Sequence, residues 1–353
     1  MKIVHVTQPV EAGVAAVVLD LATAQRHRGW DVSIACPPTG WLPAQARKAG
    51  IPLHPWHATR TPGPNTAREL RQLRKILKGH DVVHLHSSKA GLARLVLRGR
   101  TPTIFQPHLW SFRVATGLLS RASRVWEARA SGWTTVLVCV SDDELAAGRE
   151  AGITAPAEVI CNGVDTTRLQ PRPKPHDTPT AVCVGRLAHQ KGQDLLLAAW
   201  PWVLTEVPDA ELVLVGDGPM AAQLKATRPR NTHWHGHSSD VATHYANADV
   251  VVLPSRAEGM ALVPLEAMAC GRSVVAFDVE GVRQSLGDAG EVVPEQDTRA
   301  LAQAIAQRLK DPELAATEGK RGRIRAETLF DKDHMTSRIV TLTEKLVAER
   351  GPR

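Results

Sequence analysis

The chain has 353 residues and a net charge of +7, with 43% hydrophobic and 22% charged residues. This length and composition predict a globular protein of two domains and exclude a disordered or fibrous chain. No run of about 18 apolar residues occurs, and Met1 leads into a strand-like segment without a signal-peptide pattern, so we expect a cytosolic protein, or one at the inner face of the membrane. The five scattered cysteines include no CxxC pair, which favours reduced core thiols.

The positive charge is concentrated in the first half of the chain. Residues 1–175 contain 23 Lys and Arg against 12 Asp and Glu, and residues 176–353 contain 20 against 24. Basic residues recur at helical spacing in 68–78 and 93–100, where two solvated helix faces are the simpler interpretation. The alternative is a peripheral surface for anionic lipid headgroups or a phosphorylated acceptor. Nucleic acid is not expected, because no arginine-rich tail or aromatic platform accompanies the charge.

Short β-branched runs alternate with helix-length segments along the whole chain. In the first half the runs are KIVHVT, DVSIAC, DVVHLH, TIFQPH, TVLVCVS and AEVICNG. After the proline-rich segment 171–180, which is typical of a linker, they are AVCVG, ELVLVG, HWHG, DVVVLPS and SVVAFDV. The final helix has apolar residues near period 3.6 at Met335, Ile339, Leu342 and Leu346.

This alternation predicts an α/β protein with two doubly wound, Rossmann-like parallel sheets. We expect an N-terminal domain over 1–172, a C-terminal domain over 173–330, and a helix over 331–353 that packs back across the domains. Ligands of open α/β sheets bind beyond the carboxyl ends of the strands. Two such domains would face one another across a cleft that holds the ligands.

A basic pair follows the first strand of the second half. The strand AVCVG ends at Gly185, and Arg186 and Lys191 flank the loop before the next helix. Two cations beside a helix N-terminus suit a diphosphate, although a surface turn with two solvated cations explains the pattern equally well. The spacing is not that of a P-loop, and neither half begins with GxGxxG, which disfavours ATP hydrolysis and dinucleotide oxidoreduction.

Two carboxylates lie eight positions apart in SRAEGMALVPLEAMACG, residues 255–271. Pro264 predicts a helix that ends at Gly271 and places Glu266 in its first turn, where a carboxylate would stabilise the helix dipole. The alternative is a ligand site. Small side chains at Gly259 and Ala261 would let backbone N–H groups approach a ligand, and Glu258 and Glu266 would accept hydrogen bonds from sugar hydroxyls.

These residues resemble the retaining glycosyltransferases of family 4, which have the two-domain GT-B fold. The resemblance rests on GRLAHQKG, EGMALVPLE with AMACG, VICNGVDTTRL, SSKAG and TIFQPHLWSF, and it spans nearly the whole chain. It implies transfer of a hexose from a nucleoside-diphosphate sugar, with a UDP-sugar favoured. The implied acceptor is a hydroxyl of a saccharide, a lipid-linked molecule or a small molecule.

The resemblance also implies roles for individual residues. Arg186 and Lys191 would hold the donor diphosphate, and His108 would reach the donor sugar from the first domain. Glu266 would bind the ribose hydroxyls, and Glu258 would face the donor sugar. The backbone that meets the distal phosphate would be that of Gly259, Met260, Ala261 and Leu262.

Two positions depart from the family pattern. The N-terminal loop reads VEAGV, so of the usual glycine pair only Gly13 remains on the acceptor side, beside Glu11 and Ala12. Met260-Ala261 replaces the usual phenylalanine-glycine after the first carboxylate. We expect these changes to affect acceptor choice and donor-sugar shape, respectively.

No cofactor or metal is expected. In the implied reaction the sugar–phosphate bond breaks first and the acceptor attacks from the same face, with cations in place of a metal. Zinc is conceivable at His84 and His86, or at His233, His235 and His237, but no acid or cysteine completes either set. Two other functions stay open: a nucleotide-sugar epimerase on the same fold, and a non-catalytic protein that binds a nucleotide-sugar or a membrane surface.

Overall fold

A computed structural model describes residues 1–60, 62–227 and 229–349 of the chain. The chain divides into two compact units, and the boundaries between them along the sequence lie at residues 162–163 and 332–333. Unit 1 comprises Met1–Asn162 together with the C-terminal helix from Asp333 onward, and unit 2 comprises Gly163–Lys332. Each unit is built on its own parallel sheet, as the alternation of strands and helices predicts.

Unit 1 contains a seven-stranded parallel sheet in the order β3-β2-β1-β4-β5-β6-β7. Chain order runs outward in both directions from β1 and β4, which makes the sheet doubly wound and places a topological switch point between these two strands. The strands are β1 (Lys2–Thr7), β2 (Asp31–Cys36), β3 (Leu53–Pro55), β4 (Val82–His86), β5 (Thr103–Gln106), β6 (Val136–Cys139) and β7 (Ala157–Val159).

Helices cover both faces of the unit 1 sheet, and each face has its own apolar core. One core joins alternate residues of β1 and β4, such as Ile3 and Val82, to the first and last helices of the chain. The helices are α1 (Ala12–His27), α2 (Trp41–Lys48), α3 (Thr66–Ile76), α4 (Ser87–Gly91), α5 (Arg94–Leu97), α6 (Ser111–Val114), α7 (Gly117–Ser131), α8 (Asp142–Glu150) and α16 (Lys332–Ala348). The buried residues of α16 include the four predicted from its periodicity, and they pack in this core.

Unit 2 contains a six-stranded parallel sheet in the order β10-β9-β8-β11-β12-β13, with its switch point between β8 and β11. The strands are β8 (Thr180–Val184), β9 (Glu211–Val215), β10 (Thr232–Gly236), β11 (Val250–Leu253), β12 (Ser273–Phe277) and β13 (Gly290–Val293). The helices are α9 (Gln193–Glu206), α10 (Ala221–Ala226), α11 (Val241–Ala246), α12 (Leu262–Ala269), α13 (Val282–Leu286), α14 (Thr298–Lys310) and α15 (Pro312–Leu329).

The predicted fold class is confirmed, but two strands were not predicted. Both β3 and β13 lie at the edge of a sheet and have only three and four residues. β3 ends in Pro55 and has no β-branched residue, and β13 begins with Gly290 and has β-branched residues only at Val292 and Val293, so both give a weak strand signal.

The proline-rich segment 171–180 lies inside unit 2 and does not join the units. Lys174 donates hydrogen bonds to the carbonyl of Thr178 at 2.6 Å and to Asp249 at 2.5 Å, which fixes the segment beside β8 and β11. Residues before it also belong to unit 2, because Val164 pairs with Asp331 in a parallel bridge. The boundary predicted at residue 172 therefore lies within unit 2 of the structure.

Part of the predicted basic surface is buried. In α3 the arginines and lysines are exposed, as expected for a solvated helix face. Arg94 in α5, by contrast, is 1% exposed and forms an ion pair with Glu127, which is fully buried. Arg94 also lies 3.9 Å from the ring centroid of Phe105, so it is a core residue and not a surface cation.

None of the helices in the described part of the chain is both long and apolar enough to span a bilayer. All five cysteines are free thiols, as the sequence predicts, and four of them are buried.

Candidate functional site

A short loop follows β8 and approaches a second loop so closely that it requires glycine. Gly192 has φ +66°, and a Cβ at this position would lie 1.8 Å from the carbonyl oxygen of Pro254. The amide of Gln190 donates to the carbonyl of Ala257 at 2.9 Å, and the backbone N–H of Arg256 donates to the carbonyl of Gln190 at 2.8 Å. The loop after β8 and the loop after β11 are therefore one continuous surface.

An arginine fork fastens these two loops to α9. Arg256 donates to the two carboxylate oxygens of Asp194 at 2.7 and 2.6 Å, and its Nη1 also donates to the carbonyl of His189 at 2.8 Å. Bidentate pairs of this kind add geometric specificity as well as energy. The hydrogen bonds of Arg256 lower the pKa of Asp194, so this carboxylate stays ionised down to acidic pH.

The structure brings Lys191 and Glu258 together. Lys191 Nζ lies 2.6 Å from Glu258 Oε1, and the hydroxyl of Ser255 donates to the same oxygen at 2.6 Å. The side chain of Glu258 is 7% exposed and that of Lys191 is 27% exposed, so the ammonium is the more accessible partner. The pair holds the Lys191 ammonium at the carboxyl end of the sheet.

Arg186 lies two residues beyond the end of β8 and is exposed. Its backbone carbonyl accepts a hydrogen bond from the Gln193 amide at 3.0 Å, which fixes the backbone but leaves the guanidinium in solvent. Arg186 and Lys191 thus lie on one loop at the carboxyl end of β8, the edge where parallel sheets bind ligands.

The helix after Glu258 begins earlier than predicted. It starts at Leu262, two residues before Pro264, because proline is tolerated in a first turn whose N–H groups lack helical partners. Glu266 therefore lies beyond the first turn, and the interpretation of it as a helix-dipole acid is wrong. The predicted end is confirmed, since Gly271 has φ +68° directly after the last residues of α12.

Glu266 has a partner that was not predicted. The hydroxyl of Tyr245 in α11 donates to Glu266 Oε2 at 2.7 Å. Burial raises the pKa of Glu266, and the hydrogen bond from Tyr245 opposes this rise. The pKa of Tyr245 lies well above its usual value because of burial and the neighbouring carboxylate. The two residues lie in different helices, so no local sequence pattern indicates this pair.

The backbone of residues 259–262 forms the start of α12. Its N-cap residue, Ala261, has no side-chain oxygen to accept from the helix N–H groups, and no side-chain cap is formed. On the other side, Gly281 packs so closely that a Cβ there would lie 2.2 Å from the carbonyl oxygen of Gly259. Met260 is buried and Ala261 nearly so, which fixes this segment from within. An anion would find helix N–H groups here.

In unit 1 three non-glycine residues with positive φ lie beyond the carboxyl ends of β1, β4 and β5. These are Ala12 with φ 61°, Ser87 with φ 71° and His108 with φ 61°. Left-handed backbone costs about 1–3 kcal/mol for an ordinary residue and is typical of functional sites. Gly13 lies beside Ala12 as the second residue of α1, and Glu11 accepts a hydrogen bond from the backbone N–H of Trp41 at 2.8 Å, at the start of α2.

His108, which is partly exposed, ends a row of polar side chains whose other members are buried. Its Nε2 lies 3.1 Å from His86 Nδ1, His86 Nε2 lies 3.0 Å from His5 Nδ1, and His5 Nε2 lies 2.7 Å from Gln25 Oε1. The sequence indicated His108 as a sugar contact and His86 as a conceivable zinc ligand, but it did not indicate His5 or Gln25, because the neighbours of β4 depend on the order of strands in the sheet. Burial lowers the pKa of His5 to about 4 and that of His108 to about 3.

His5, His84 and His86 also form a group whose ring nitrogens lie within 4.8 Å of one another. All three are fully buried, and burial lowers the pKa of each. Both ring nitrogens of His5 and of His86 already take part in hydrogen bonds, which leaves only those of His84 as ligands. The geometry fits a hydrogen-bonded row better than a metal site.

Two family models match the two halves of the chain. Residues 12–168 match the model described as Glycosyltransferase Family 4, and residues 178–311 match Glycosyl transferases group 1. A phosphatidyl-myo-inositol mannosyltransferase of Mycolicibacterium smegmatis is 31% identical over 87% of this chain and 83% of its own length.

The chain belongs to glycosyltransferase family 4. A GDP-mannose-dependent α-(1-6)-phosphatidylinositol monomannoside mannosyltransferase of Mycobacterium tuberculosis is 30% identical over 79% of each chain. The corresponding protein of M. smegmatis is 34% identical, and the match covers 57% of this chain and 59% of that protein.

Solved structures agree on the fold of this family 4 protein. A sucrose-phosphate synthase from Thermosynechococcus elongatus has a TM-score of 0.85 and 23% identity, and the match covers 99% of this chain and 100% of that one. HepE from Anabaena in complex with UDP-glucose has a TM-score of 0.81 and 21% identity, covering 98% and 100%. The two parallel-sheet units are those of the GT-B fold, and the protein is a transferase.

Proposed function

We propose that this family 4 enzyme transfers mannose from GDP-mannose to a hydroxyl group of a lipid-linked acceptor. The observation that carries the proposal is the pair of cations, Arg186 and Lys191, on the loop beyond β8, within a chain whose relatives are named as GDP-mannose-dependent mannosyltransferases. A UDP-sugar, which the resemblance favoured, has no support among these relatives. GDP-mannose replaces it as the expected donor.

In the proposed reaction the two cations stabilise the departing diphosphate. Lys191 is held in place by Glu258, and its charge is directed to the carboxyl end of the sheet. The first turn of α12 offers N–H groups to the distal phosphate. Glu266, supported by Tyr245, accepts hydrogen bonds from the ribose hydroxyls. Preorganised charges of this kind stabilise a transition state without reorganisation.

We propose retention of the anomeric configuration and no requirement for a metal. With the diphosphate charge stabilised by cations and helix N–H groups, the sugar–phosphate bond can break before the acceptor hydroxyl attacks from the same face. His108 lies next to a strained backbone at the carboxyl edge of unit 1 and contacts a sugar hydroxyl in this proposal. Nuclear magnetic resonance of the anomeric proton in the product tests retention, and activity in excess chelator tests the metal.

A surface of unit 1 suits a lipid-linked acceptor. We name it the leucine–arginine face: Val114, Leu118, Leu119 and Val125 are exposed apolar residues, and Arg113, Arg121 and Arg129 are exposed cations around them. Leu118 and Leu119 are 82% and 65% exposed, and several exposed apolar residues close together in one segment are typical of an interaction site. Apolar side chains among arginines fit an anionic membrane surface, and this face follows His108 directly in the chain.

The donor is tested by a thermal-shift panel of GDP, UDP, ADP and dTDP on the parent and on Glu266→Ala. A ligand at about 100 times its Kd adds roughly 2.7 kcal/mol of stability. We expect GDP to stabilise the parent strongly and the variant little. Stabilisation by UDP alone would exclude a guanosine diphosphate sugar.

Product analysis then separates transfer from the other functions. With GDP-mannose and a phosphatidylinositol-containing membrane extract, we expect free GDP and a mannosylated lipid. Conversion of the donor to an epimer without an acceptor would indicate a nucleotide-sugar epimerase. Binding of GDP-mannose without release of GDP would indicate a non-catalytic binding protein.

A further inference from the structure

Four side chains from four separate elements of unit 1 form a continuous hydrogen-bonded chain. Gln25 comes from α1, His5 from β1, His86 from the end of β4, and His108 from the segment after β5. The successive contacts are 2.7, 3.0 and 3.1 Å long, each within hydrogen-bonding distance. We call this row the Gln25–His108 chain.

The sheet order brings these residues together. β1 and β4 are neighbours, and His5 lies opposite His84 in their register, so His5 and His86 point from the same face of the sheet. This face is covered by α1, from which Gln25 reaches His5. His5, His86 and Gln25 have no exposed surface, so water cannot replace the contacts they make with one another.

The histidines of the chain are neutral. Burial lowers the pKa of His5 to about 4 and that of His108 to about 3, and it lowers that of His86 well below its usual value. A neutral imidazole has one N–H donor and one acceptor nitrogen. Each contact between two neutral rings must therefore pair a donor with an acceptor. The direction of donation in one contact, which we call its polarity, decides the polarity of the next.

Gln25 sets this polarity, because a carbonyl oxygen can only accept. The amide of Gln25 is oriented with Oε1 towards His5 Nε2, and in this orientation the contact requires a proton on His5 Nε2. His5 Nδ1 would then be unprotonated and accept from His86 Nε2–H. His86 Nδ1 is then unprotonated in turn and accepts from the Nε2–H of His108. The remaining ring nitrogen, His108 Nδ1, therefore has a lone pair.

We propose that Gln25, His5 and His86 are positioning residues that hold His108 in the Nε2–H tautomer, with Nδ1 as the acceptor for a sugar hydroxyl at the carboxyl edge of the unit 1 sheet. The role of the sugar rests on the proposed function, whereas the tautomer does not. The chain ends at an amide that cannot take up a proton, so it orients His108 and does not carry a proton away. Positioning of this kind also fits the strained backbone of His108.

The first test measures the tautomer in the parent protein without any ligand. Long-range proton–nitrogen correlation spectra of ¹⁵N-histidine-labelled protein distinguish protonated from unprotonated ring nitrogens, and His108→Gln and His86→Gln identify the signals. We expect protonated Nε2 and unprotonated Nδ1 for His5, His86 and His108 at pH 7. An Nδ1–H tautomer of His108, or rapid exchange between tautomers, would overturn the proposal.

The same spectra test for a metal. A bound ion at His5, His84 and His86 would need the unprotonated nitrogens that this chain already uses. We expect the spectra to be unchanged by a strong chelator and by added zinc. Altered His5 or His86 signals in either experiment would show that the cluster holds a metal and would contradict the chain.

Two substitutions of Gln25 test whether it sets the polarity. Gln25→Met removes the acceptor at similar size, and we expect mixed tautomers of His108 and a loss in kcat of about 10–100-fold, as for other supporting hydrogen bonds. Gln25→Glu places a carboxylate beside His5 and favours its protonated form. His5 would then donate through Nδ1–H, and we expect the whole chain to reverse, with His108 in the Nδ1–H form.

His84→Met is the matched control. His84 lies on the same face and stacks on His86 with ring centroids 4.0 Å apart, but it is not a member of the chain. We expect the tautomer of His108 and the kcat to stay near the parental values. A tautomer altered as much in His84→Met as in Gln25→Met would show that packing, and not the chain, controls His108.

The outcomes separate this inference from the proposed function. If GDP-mannose is not a substrate but the tautomers are as expected and reverse in Gln25→Glu, the positioning chain stands and only the role of the sugar fails. If transfer occurs normally while His108 has no fixed tautomer, the chain is overturned and the proposed function stands.

Discussion

At the scale of single residues, the two cations of the donor loop differ in their surroundings. Arg186 is exposed, whereas Lys191 is 27% exposed and neutralises Glu258, whose side chain is 7% exposed. Removing Lys191 therefore has two consequences, loss of a contact to the diphosphate and loss of the partner of a buried carboxylate. Removing Arg186 has only the first.

We expect Arg186→Ala to lower kcat by about 10²–10³-fold, corresponding to about 2.7–4 kcal/mol for one preorganised contact, with an unchanged melting temperature. Lys191→Met should lose activity on the same scale and also melt at a lower temperature, because it leaves a buried charge without its partner. Adding Glu258→Gln to Lys191→Met should restore much of the stability without restoring activity.

Arg321→Ala is the control for the loss of an exposed arginine. Arg321 lies in α15, is 54% exposed and forms only a 3.6 Å surface ion pair with Asp288, so its removal should affect neither property. Near-parental turnover in both Arg186→Ala and Lys191→Met would exclude the diphosphate assignment.

Tyr245 should control the pH dependence of nucleotide binding through Glu266. Burial raises the pKa of Glu266, and the Tyr245 hydrogen bond holds it lower than burial alone would. Tyr245→Phe removes this bond and should raise the pKa further, so that Glu266 becomes protonated at a higher pH. Because the ionised carboxylate accepts the ribose hydroxyls, we expect the acidic loss of GDP affinity to begin at higher pH than in the parent.

Titration calorimetry with GDP between pH 5 and 8 measures this shift. Glu266→Gln is the matched control, since its low affinity should show only the pH dependence of the diphosphate itself and no acidic limb from Glu266. An acidic limb that stays in place in Tyr245→Phe would show that Glu266 does not govern ribose binding.

At the scale of elements, the central strands and the motifs at their carboxyl ends could be predicted from sequence, but the contacts between elements could not. Most central strands follow from short β-branched or apolar runs, whereas the edge strands β3 and β13 are too short and too interrupted by proline or glycine to give this signal. Glu258 was predicted from its spacing to Glu266, but its partner Lys191 comes from another loop. His5 meets His86 only because β1 and β4 are neighbours.

The first residue of α1 is an alanine with left-handed backbone. Ala12 has φ 61°, in a loop where the resemblance implies a pair of glycines. Left-handed backbone costs roughly 1–2 kcal/mol for a residue with a Cβ. Ala12→Gly removes this strain, although glycine loses about 0.5–1 kcal/mol through its greater freedom in the unfolded chain.

We therefore expect Ala12→Gly to stabilise unit 1 by up to about 1 kcal/mol. Ala16→Gly is the control, because Ala16 lies within the same helix and has no positive φ, and it should destabilise by about 1 kcal/mol. Urea unfolding followed by tryptophan fluorescence measures both. Equal destabilisation by the two substitutions would show that Ala12 is not strained.

At the scale of the whole molecule, charge and exposed apolar residues are concentrated in unit 1. The basic face of α3 and the leucine–arginine face both belong to this unit, whereas residues 163–332 of unit 2 contain 22 Asp and Glu against 19 Lys and Arg. The buried ion pair of Arg94 with Glu127 joins α5 to α7, the helix that contains most of the leucine–arginine face. This distribution fits a protein that meets an anionic membrane through unit 1.

We expect Leu118→Ser with Leu119→Ser to weaken binding to phosphatidylglycerol-containing vesicles by at least about tenfold. Each leucine contributes about 1.5–3 kcal/mol when fully buried, and tenfold corresponds to about 1.4 kcal/mol, so even partial insertion suffices. Ile324→Ser with Leu329→Ser is the matched control, because these residues are 61% and 51% exposed in α15 of unit 2. Vesicle sedimentation at low and high salt measures binding, and GDP binding should be unchanged in both variants. If the two pairs of substitutions weaken vesicle binding equally, the leucine–arginine face is not the membrane contact, and salt-sensitive binding must then come from the basic face of α3.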